Sequence, residues 1–332
     1  MPKKSFIGVE IGNRRIKIAE TKNEKLVKFV VADIPENAVQ GGNILQWEVV
    51  SDIMKDTLTK NGFTGKRAAI AIPDEAVYMR RTQMPPMTAE QLDSNLTYEF
   101  QDFADSNNGT YLYDYSMISL VKDENGNVSG MDLLAVAAPQ DLMESYVEMF
   151  KRAGLRAIVG TPKVLAVNNV FRTLYPELME RDYAVLDLGQ EVSRIDIYSR
   201  GVYEVSKNIE IGYKDLIEAL AGEKQCDFAA AEKMLRENTD NVQSLEICQE
   251  LYNRIAINAM RALNYYTFEH HDNLMDMVYY YGGGSNIGPL VDEIKSAVEL
   301  EFVPMSELAN GIEGCDEALM SGPAAIGACW NA

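Results

Sequence analysis

Residues 183–201 read YAVLDLGQEVSRIDIYSRG, and the fold turns on how this stretch is read. Residues 183–188 are apolar except for Asp187, as expected of a buried strand arriving at a tight turn. Gly189 permits a backbone conformation that residues with a Cβ avoid. Residues 193–198 then return with period-two alternation, Ile195 and Ile197 on one face and Ser193, Arg194 and Asp196 interleaved, which predicts a β-hairpin. Its turn presents the Asp187 carboxylate, the backbone N–H groups of residues 189–192, Gln190 among them, and the Ser193 hydroxyl. Amides in a turn make a concave anion site, and an adjacent carboxylate can hold the hydrated Mg²⁺ that accompanies a nucleotide phosphate. An Asp-x-Gly hairpin is also the grammar of an ordinary surface turn.

The same grammar occurs a second time. Residues 6–20, FIGVEIGNRRIKIAE, give an apolar strand, Glu10-Ile11-Gly12, a polar turn, and a returning strand in which Ile16 and Ile18 alternate against Lys17. Glu10 and Gly12 match Asp187 and Gly189. This internal similarity predicts two like half-molecules, each offering one acidic turn. Facing each other, the turns would close on a polyphosphate from both sides. Two βαβ-type domains sharing a hairpin through fold alone is the competing explanation.

A length of 332 residues predicts two or more subdomains, and 47% apolar with 24% charged residues is the balance of a soluble globular chain. The 50 acidic against 31 basic residues, net −19, argue against a nucleic-acid groove or a polybasic membrane patch. The opening MPKKSF enters a strand without an apolar leader, and no apolar run spans a bilayer, so a cytoplasmic protein is expected. Four scattered cysteines (Cys226, Cys248, Cys315, Cys329) fit reduced thiols. The only histidines, His270 and His271, are adjacent, which removes Ser/His/Asp and Cys/His catalysis. Gly-x-x-x-x-Gly-Lys-Ser/Thr is absent.

Along the chain, residues 26–34 and 67–72 read as strands flanking an amphipathic helix at 47–61. Composition changes at residues 84–87, where Thr88 is placed to cap a helix over 91–103. Strands at 111–121 and 132–138 and a helix opened by Pro139 complete a small α+β module, 80–157. After a strand at 155–159, Thr161 as cap and Pro162 in the first turn predict a connector helix. Helices are expected at 214–220, 228–235 and 244–270. A strand at 275–281 then runs into Gly282-Gly283-Gly284-Ser285-Asn286 before a further helix. Such a turn lets backbone approach a flat ligand closely, or is a glycine-rich connection. Residues 321–328 form a helix of small residues suited to close packing on the connector.

This order resembles the actin-like nucleotide-binding superfamily, and within it the FtsA/PilM branch, with the PilM family of type IV pilus assembly proteins the better match. The module at 80–157 lies where that branch carries its characteristic subdomain, and the end at Ala328-Cys329-Trp330-Asn331-Ala332 lacks the amphipathic tail of FtsA. The resemblance implies an α/β, actin-like (ribonuclease H-like) two-domain fold. Residues 1–79 with 158–180 and 316–332 would form the first domain, and 181–211 with 262–315 the second. A helical subdomain would cover 212–261. It also implies ATP with Mg²⁺ between the domains. Gly12, Asn13, Arg14, Arg15 and Lys17 would surround the phosphates from one side, and Gly189, Gln190, Ser193 and Gly212 from the other. Gly283, Gly284 and Ser285 would lie beside adenosine, while Glu10 and Asp187 would hold the metal through water and position the catalytic water.

Several positions depart from the family pattern. Glu10 stands where Asp is usual, and Asn13, Arg14 and Arg15 replace small hydroxyl residues. Gly160-Thr161 replaces an acidic residue near the attacking water, and Gly212-Tyr213 replaces a pair of glycines. The expected function is therefore an ATP-binding scaffold with slow or absent hydrolysis. The resemblance further implies docking of the cytoplasmic N-terminal segment of a PilN-like membrane protein between the first domain and the inserted module, contacts with other pilus machinery, and membrane association through partners alone. It allows a homo-oligomer. A small-molecule kinase of the same superfold and a nucleotide-free interaction module are the alternatives.

Overall fold

The computed structural model describes residues 5–107, 109–309 and 314–330. Tight turns set the first three strands, β1 (Ser5–Ile11), β2 (Arg15–Lys22) and β3 (Lys25–Asp33). Asn23 and Glu24, between β2 and β3, both take positive φ, the twist that a two-residue hairpin turn requires. A short ladder, β4 (Val39–Gln40) with β5 (Asn43–Ile44), leads to helix α1 (Trp47–Lys60) and strand β6 (Arg67–Ile72). The chain then leaves through β7 (Tyr78–Met84), α2 (Ala89–Glu99), α3 (Gln101–Asn107), β8 (Tyr111–Lys122) and β9 (Val128–Pro139). It returns through α4 (Gln140–Arg152), β10 (Arg156–Pro162) and α5 (Lys163–Leu174).

The second half repeats the plan with β11 (Asp182–Leu188), β12 (Ser193–Ser199) and β13 (Val202–Ile209), turned by Arg200 and Gly201, again both at positive φ. Helices α6 (Tyr213–Lys224), α7 (Phe228–Glu237) and α8 (Glu246–Glu269) follow. Strand β14 (Met277–Tyr281), helix α9 (Gly288–Ala297), strand β15 (Glu301–Pro304), α10 (Cys315–Ser321) and α11 (Pro323–Trp330) close the chain.

The two five-stranded sheets have one topology. Their orders are β3-β2-β1-β6-β10 and β13-β12-β11-β14-β15, with the first hairpins antiparallel and the remaining pairs parallel. Register agrees as well. Glu10 is opposite Lys17, and Asp187 is opposite Arg194. Such a sheet needs cover on both faces. The outer face of the first packs Ile7, Val9 and Ile70 on α1 and α4, and that of the second packs Leu186 and Ile195 on α6, α8 and α9. Between the sheets lie α5 and α11, with Val167, Phe171, Ala325 and Ile326 against Tyr183, Val185 and Tyr279.

Small residues allow that middle layer to be thin. A Cβ on Gly8 would sit 1.8 Å from the Ala325 carbonyl oxygen, and one on Gly327 would sit 1.7 Å from that of Ala166. The amide of Asn169 donates to the Gly327 carbonyl at 3.2 Å. The small-residue helix therefore crosses the connector helix as its composition suggests.

Three local expectations need correction. Thr161 does not cap α5, because β10 runs on through Pro162 with Thr161 paired to Ala71. Asp74 supplies the cap from the end of β6, accepting the Val164 N–H at 3.0 Å. The helix at 91–103 breaks at Phe100 into α2 and α3, although the Thr88–Gln91 capping box is present. Helix α4, placed in the 80–157 module by the sequence reading, belongs to the first core. Its Tyr146, Met149 and Phe150 pack on α1, the Trp47 and Tyr146 rings meet edge to face at 5.1 Å, and Ser51 donates to the Met149 carbonyl. The module keeps a small core of its own, with Leu92, Leu96 and Phe100 on Leu133 and Ala135.

Candidate functional site

Parallel α/β sheets place their ligands at the carboxyl ends of the strands. Here β1, β10, β11 and β14 all end at one place, bringing Glu10, Lys163, Asp187 and Tyr281 together. Glu10 and Asp187 are both buried. Lys17 donates to Glu10 Oε1 at 2.8 Å. Lys163, the first residue of α5, donates to Asp187 Oδ2 at 2.7 Å and lies 3.8 Å from Glu10 Oε1. The two acidic turns do face each other, and one ammonium group lies between them. Burial alone would draw the Lys163 pKa down, but Asp187 and then Glu10 more than offset this, so it stays above the ordinary lysine value and cationic.

One carboxylate oxygen at this site, Glu10 Oε2, lacks a partner among the described residues, and the buried Tyr281 hydroxyl has Asp187 beside it. Burial, with the Asp187 and Glu10 carboxylates next in weight, raises the Tyr281 pKa well above 10, so the hydroxyl keeps its proton. The unpartnered Glu10 oxygen marks a place for a polar group.

The glycines form the walls. Gly282, at φ +103, lies so close to the second hairpin that a Cβ would meet the Leu188 carbonyl oxygen at 2.6 Å and Asp187 Oδ1 at 2.7 Å. Gly283 next to it is exposed, with open space where its Cβ would be, while Ser285 Oγ donates back to the Gly282 carbonyl at 2.7 Å. Gly284 rests on Leu188. Gly212 lies against the second turn, where a Cβ would come within 2.5 Å of the Gln190 carbonyl oxygen. The N–H groups of Tyr213 and Lys214 donate to the Gly189 and Gln190 carbonyls. A Cβ on Gly12 would sit 3.3 Å from Lys17 Nζ.

Other expected site residues are occupied elsewhere. Asn13 accepts the Gly42 N–H at 3.1 Å. Arg14 pairs with Glu36 and lies over the Phe228 ring of α7, and Arg15 pairs with Asp33 and reaches Glu232 of α7. These arginines bridge the halves at the rim. Ser193 is buried, and its amide donates to the Ile211 carbonyl.

A sequence profile described as type IV pilus assembly protein PilM matches residues 8–315. The chain belongs to the PilM family. It is similar to a chain of the PilM–PilN type IV pilus biogenesis complex, with 19% identity, 99% of each chain covered and a TM-score of 0.83. The ethanolamine utilization protein EutJ from Carboxydothermus hydrogenoformans matches at 15% identity, with 98% of this chain and 90% of that one covered and a TM-score of 0.60. An archaeal actin homolog matches at 13% identity over 98% of each chain with a TM-score of 0.51. These neighbours establish the actin-like fold, and nucleotide with a divalent metal is what the resemblance implies for it. Among the described residues no helix is long and apolar enough to cross a membrane.

For this PilM-family chain the metal half of that expectation does not fit. Lys163 Nζ holds the position between Glu10 and Asp187 that a shared ion would take, and Lys17 neutralises Glu10 from the other side. A divalent ion placed between the two carboxylates would have to displace that ammonium from both of them. Among the described residues no three Asp, Glu, His or Cys side chains gather so as to hold an ion. Sequence reading missed Lys163. Its one signal is a lysine in the first turn of a helix, where the macrodipole disfavours a cation unless acids lie opposite.

Proposed function

We propose that this chain is an actin-like scaffold of type IV pilus assembly that holds ATP between its halves and hydrolyses it slowly or not at all. The observation that carries the reading is the Lys17–Glu10–Lys163–Asp187 chain of charges. In-line phosphoryl transfer needs a positioned metal and a positioned water, and both carboxylates that would supply them are already paired. The exposed backbone at Gly283 favours a flat ring beside it, and Lys17, Lys163 and the hairpin amides favour the phosphates. A kinase of the same superfold would need a free base in the cleft, and Glu10 and Asp187 are each held by a lysine. Thermal melting of the purified chain with ATP tests binding. A ligand at 100 times its Kd adds about 2.7 kcal/mol of stability, while phosphate release above a no-protein control would overturn the claim about turnover.

The scaffold reading extends to a partner, the N-terminal segment of a PilN-like membrane protein, which would hold the chain at the inner face of the membrane from the cytoplasm. The module offers a groove of about 290 Å³ lined by Met84, Pro85, Met87 and Tyr98, and Tyr98 is 73% exposed. Exposed aromatics beside a groove are common anchors for a peptide. Capture of a synthetic segment by wild type, with loss of affinity in Tyr98→Ala, supports this reading. Equal capture by both moves the segment elsewhere.

A further inference from the structure

The two halves bring pseudo-equivalent acids to one point, and the sheet register gives each a cation directly opposite, Lys17 for Glu10 and Arg194 for Asp187. Lys17 completes its pair at 2.8 Å. Arg194 does not take Asp187. Its guanidinium binds Asp196 at 2.8 Å, Glu75 at 2.6 Å and Asp74 at 3.3 Å instead. Asp187 is left to Lys163, which comes from outside both hairpins.

The backbone of Lys163 is held on both sides. Pro162 before it ends β10, and the N–H of Val164 after it is bound by Asp74. The first turn of α5 contains no acidic residue of its own, so a cation there opposes the helix dipole and depends on Glu10 and Asp187 for its charge balance. The relation is reciprocal, because each carboxylate is buried and would be costly without its cation.

We propose that Lys163 is the resident cation of the cleft: it stands in for a divalent metal between Glu10 and Asp187, so the site excludes Mg²⁺ and takes a phosphorylated anion without metal. The exclusion of metal rests on Lys163, with Lys17 holding Glu10 from the other side. Its second half, anion binding without metal, rests on the nucleotide reading above, and the two are tested separately.

The first test uses the full chain without nucleotide and Mn²⁺ as the probe, free Mn²⁺ being read by electron paramagnetic resonance. Wild type should leave the free Mn²⁺ signal unchanged. Lys163→Met should bind one Mn²⁺ at least tenfold tighter, and adding Glu10→Gln should abolish that gain. Mn²⁺ binding by wild type that is lost in Glu10→Gln overturns the proposal, as does a folded Lys163→Met with no gain. If Lys163→Met does not fold, the wild-type and Glu10→Gln titrations decide alone. The second test compares the melting shift produced by ATP with excess EDTA and with Mg²⁺. Equal shifts support binding without metal, and a shift that appears only with Mg²⁺ overturns it. No shift in either condition sinks the nucleotide reading while the Mn²⁺ result still judges Lys163.

Discussion

The guanidinium of Arg194, from the second half, lies 3.3 Å from the carboxylate of Asp74, from the first. Around that pair three carboxylates, those of Asp74, Glu75 and Asp196, share one arginine, with Ser206 Oγ donating to Asp196 at 2.5 Å. Asp74 and Asp196 are buried. Burial, only partly offset by Arg194, lifts the Asp74 carboxyl from 3.8 to about 7, and burial likewise pushes Asp196 up. Between about pH 4 and 7 the latch between the halves therefore holds a proton that the unfolded chain would release.

That proton sets a pH dependence. An acid with a folded pKa above its unfolded value binds more protons when folded, so its contribution is largest below about pH 4, falls as pH rises, and levels off above about 7. The urea midpoint of wild type should drop between pH 5 and 7.5 relative to Asp74→Asn. Parallel curves for the two proteins would refute this assignment.

Removing the arginine isolates the cost of burying its partners. Arg194→Met leaves Asp74 and Asp196 uncompensated, for which a loss of about 3–5 kcal/mol is expected. Adding Asp74→Asn should restore a measurable part, and a double-mutant cycle from urea unfolding reads the coupling. Strict additivity would mean that the pair contributes nothing.

The middle layer has no spare room. Gly327→Ala drives a methyl group into the Ala166 carbonyl oxygen, and overpacking of this kind costs about 1–3 kcal/mol or more. Gly283→Ala meets open space and should stay within about 0.5 kcal/mol of wild type. Calorimetric melting of the two variants compares them directly, and similar losses in both would contradict the packing described.

At the rim, Arg14 on Phe228 is a half-buried contact and the exposed Arg15 reaches a half-buried Glu232, each contact worth about 1 kcal/mol. The Arg14→Ala/Arg15→Ala double variant should therefore fold normally. Because both side chains span from the first hairpin to α7, it should release a fluorescent ATP analogue several-fold faster in stopped flow. An unchanged release rate would remove any gating role from the rim.

Much of this architecture was legible because it is written in local periodicity. Apolar runs, two acid-x-Gly turns in matching places and a helix of small residues all survive in one dimension. Strands β7, β13 and β15 were not recognised. Tyr78–Met84 reads YMRRTQM and is largely exposed, Val202–Ile209 is half polar, and Glu301–Pro304 is four residues long. Each becomes a strand by pairing with a neighbour already in place. Arg14 and Arg15 were read as phosphate contacts because nothing in the hairpin tells that α7 comes to meet them.

By itself the sequence determined the duplicated hairpins, the family and the pairing of α11 with α5, since each depends on spacing within a segment or on residue size. Only the tertiary structure decided which cation each buried acid would own. Lys163 is an ordinary lysine until the end of β10 is laid between the ends of β1 and β11, and Asp74 is an ordinary turn residue until β12 brings Arg194 beside it. Charge pairing depends on distance in space, and here that distance is set by how closely the small-residue helix α11 and the connector α5 allow the sheets to approach.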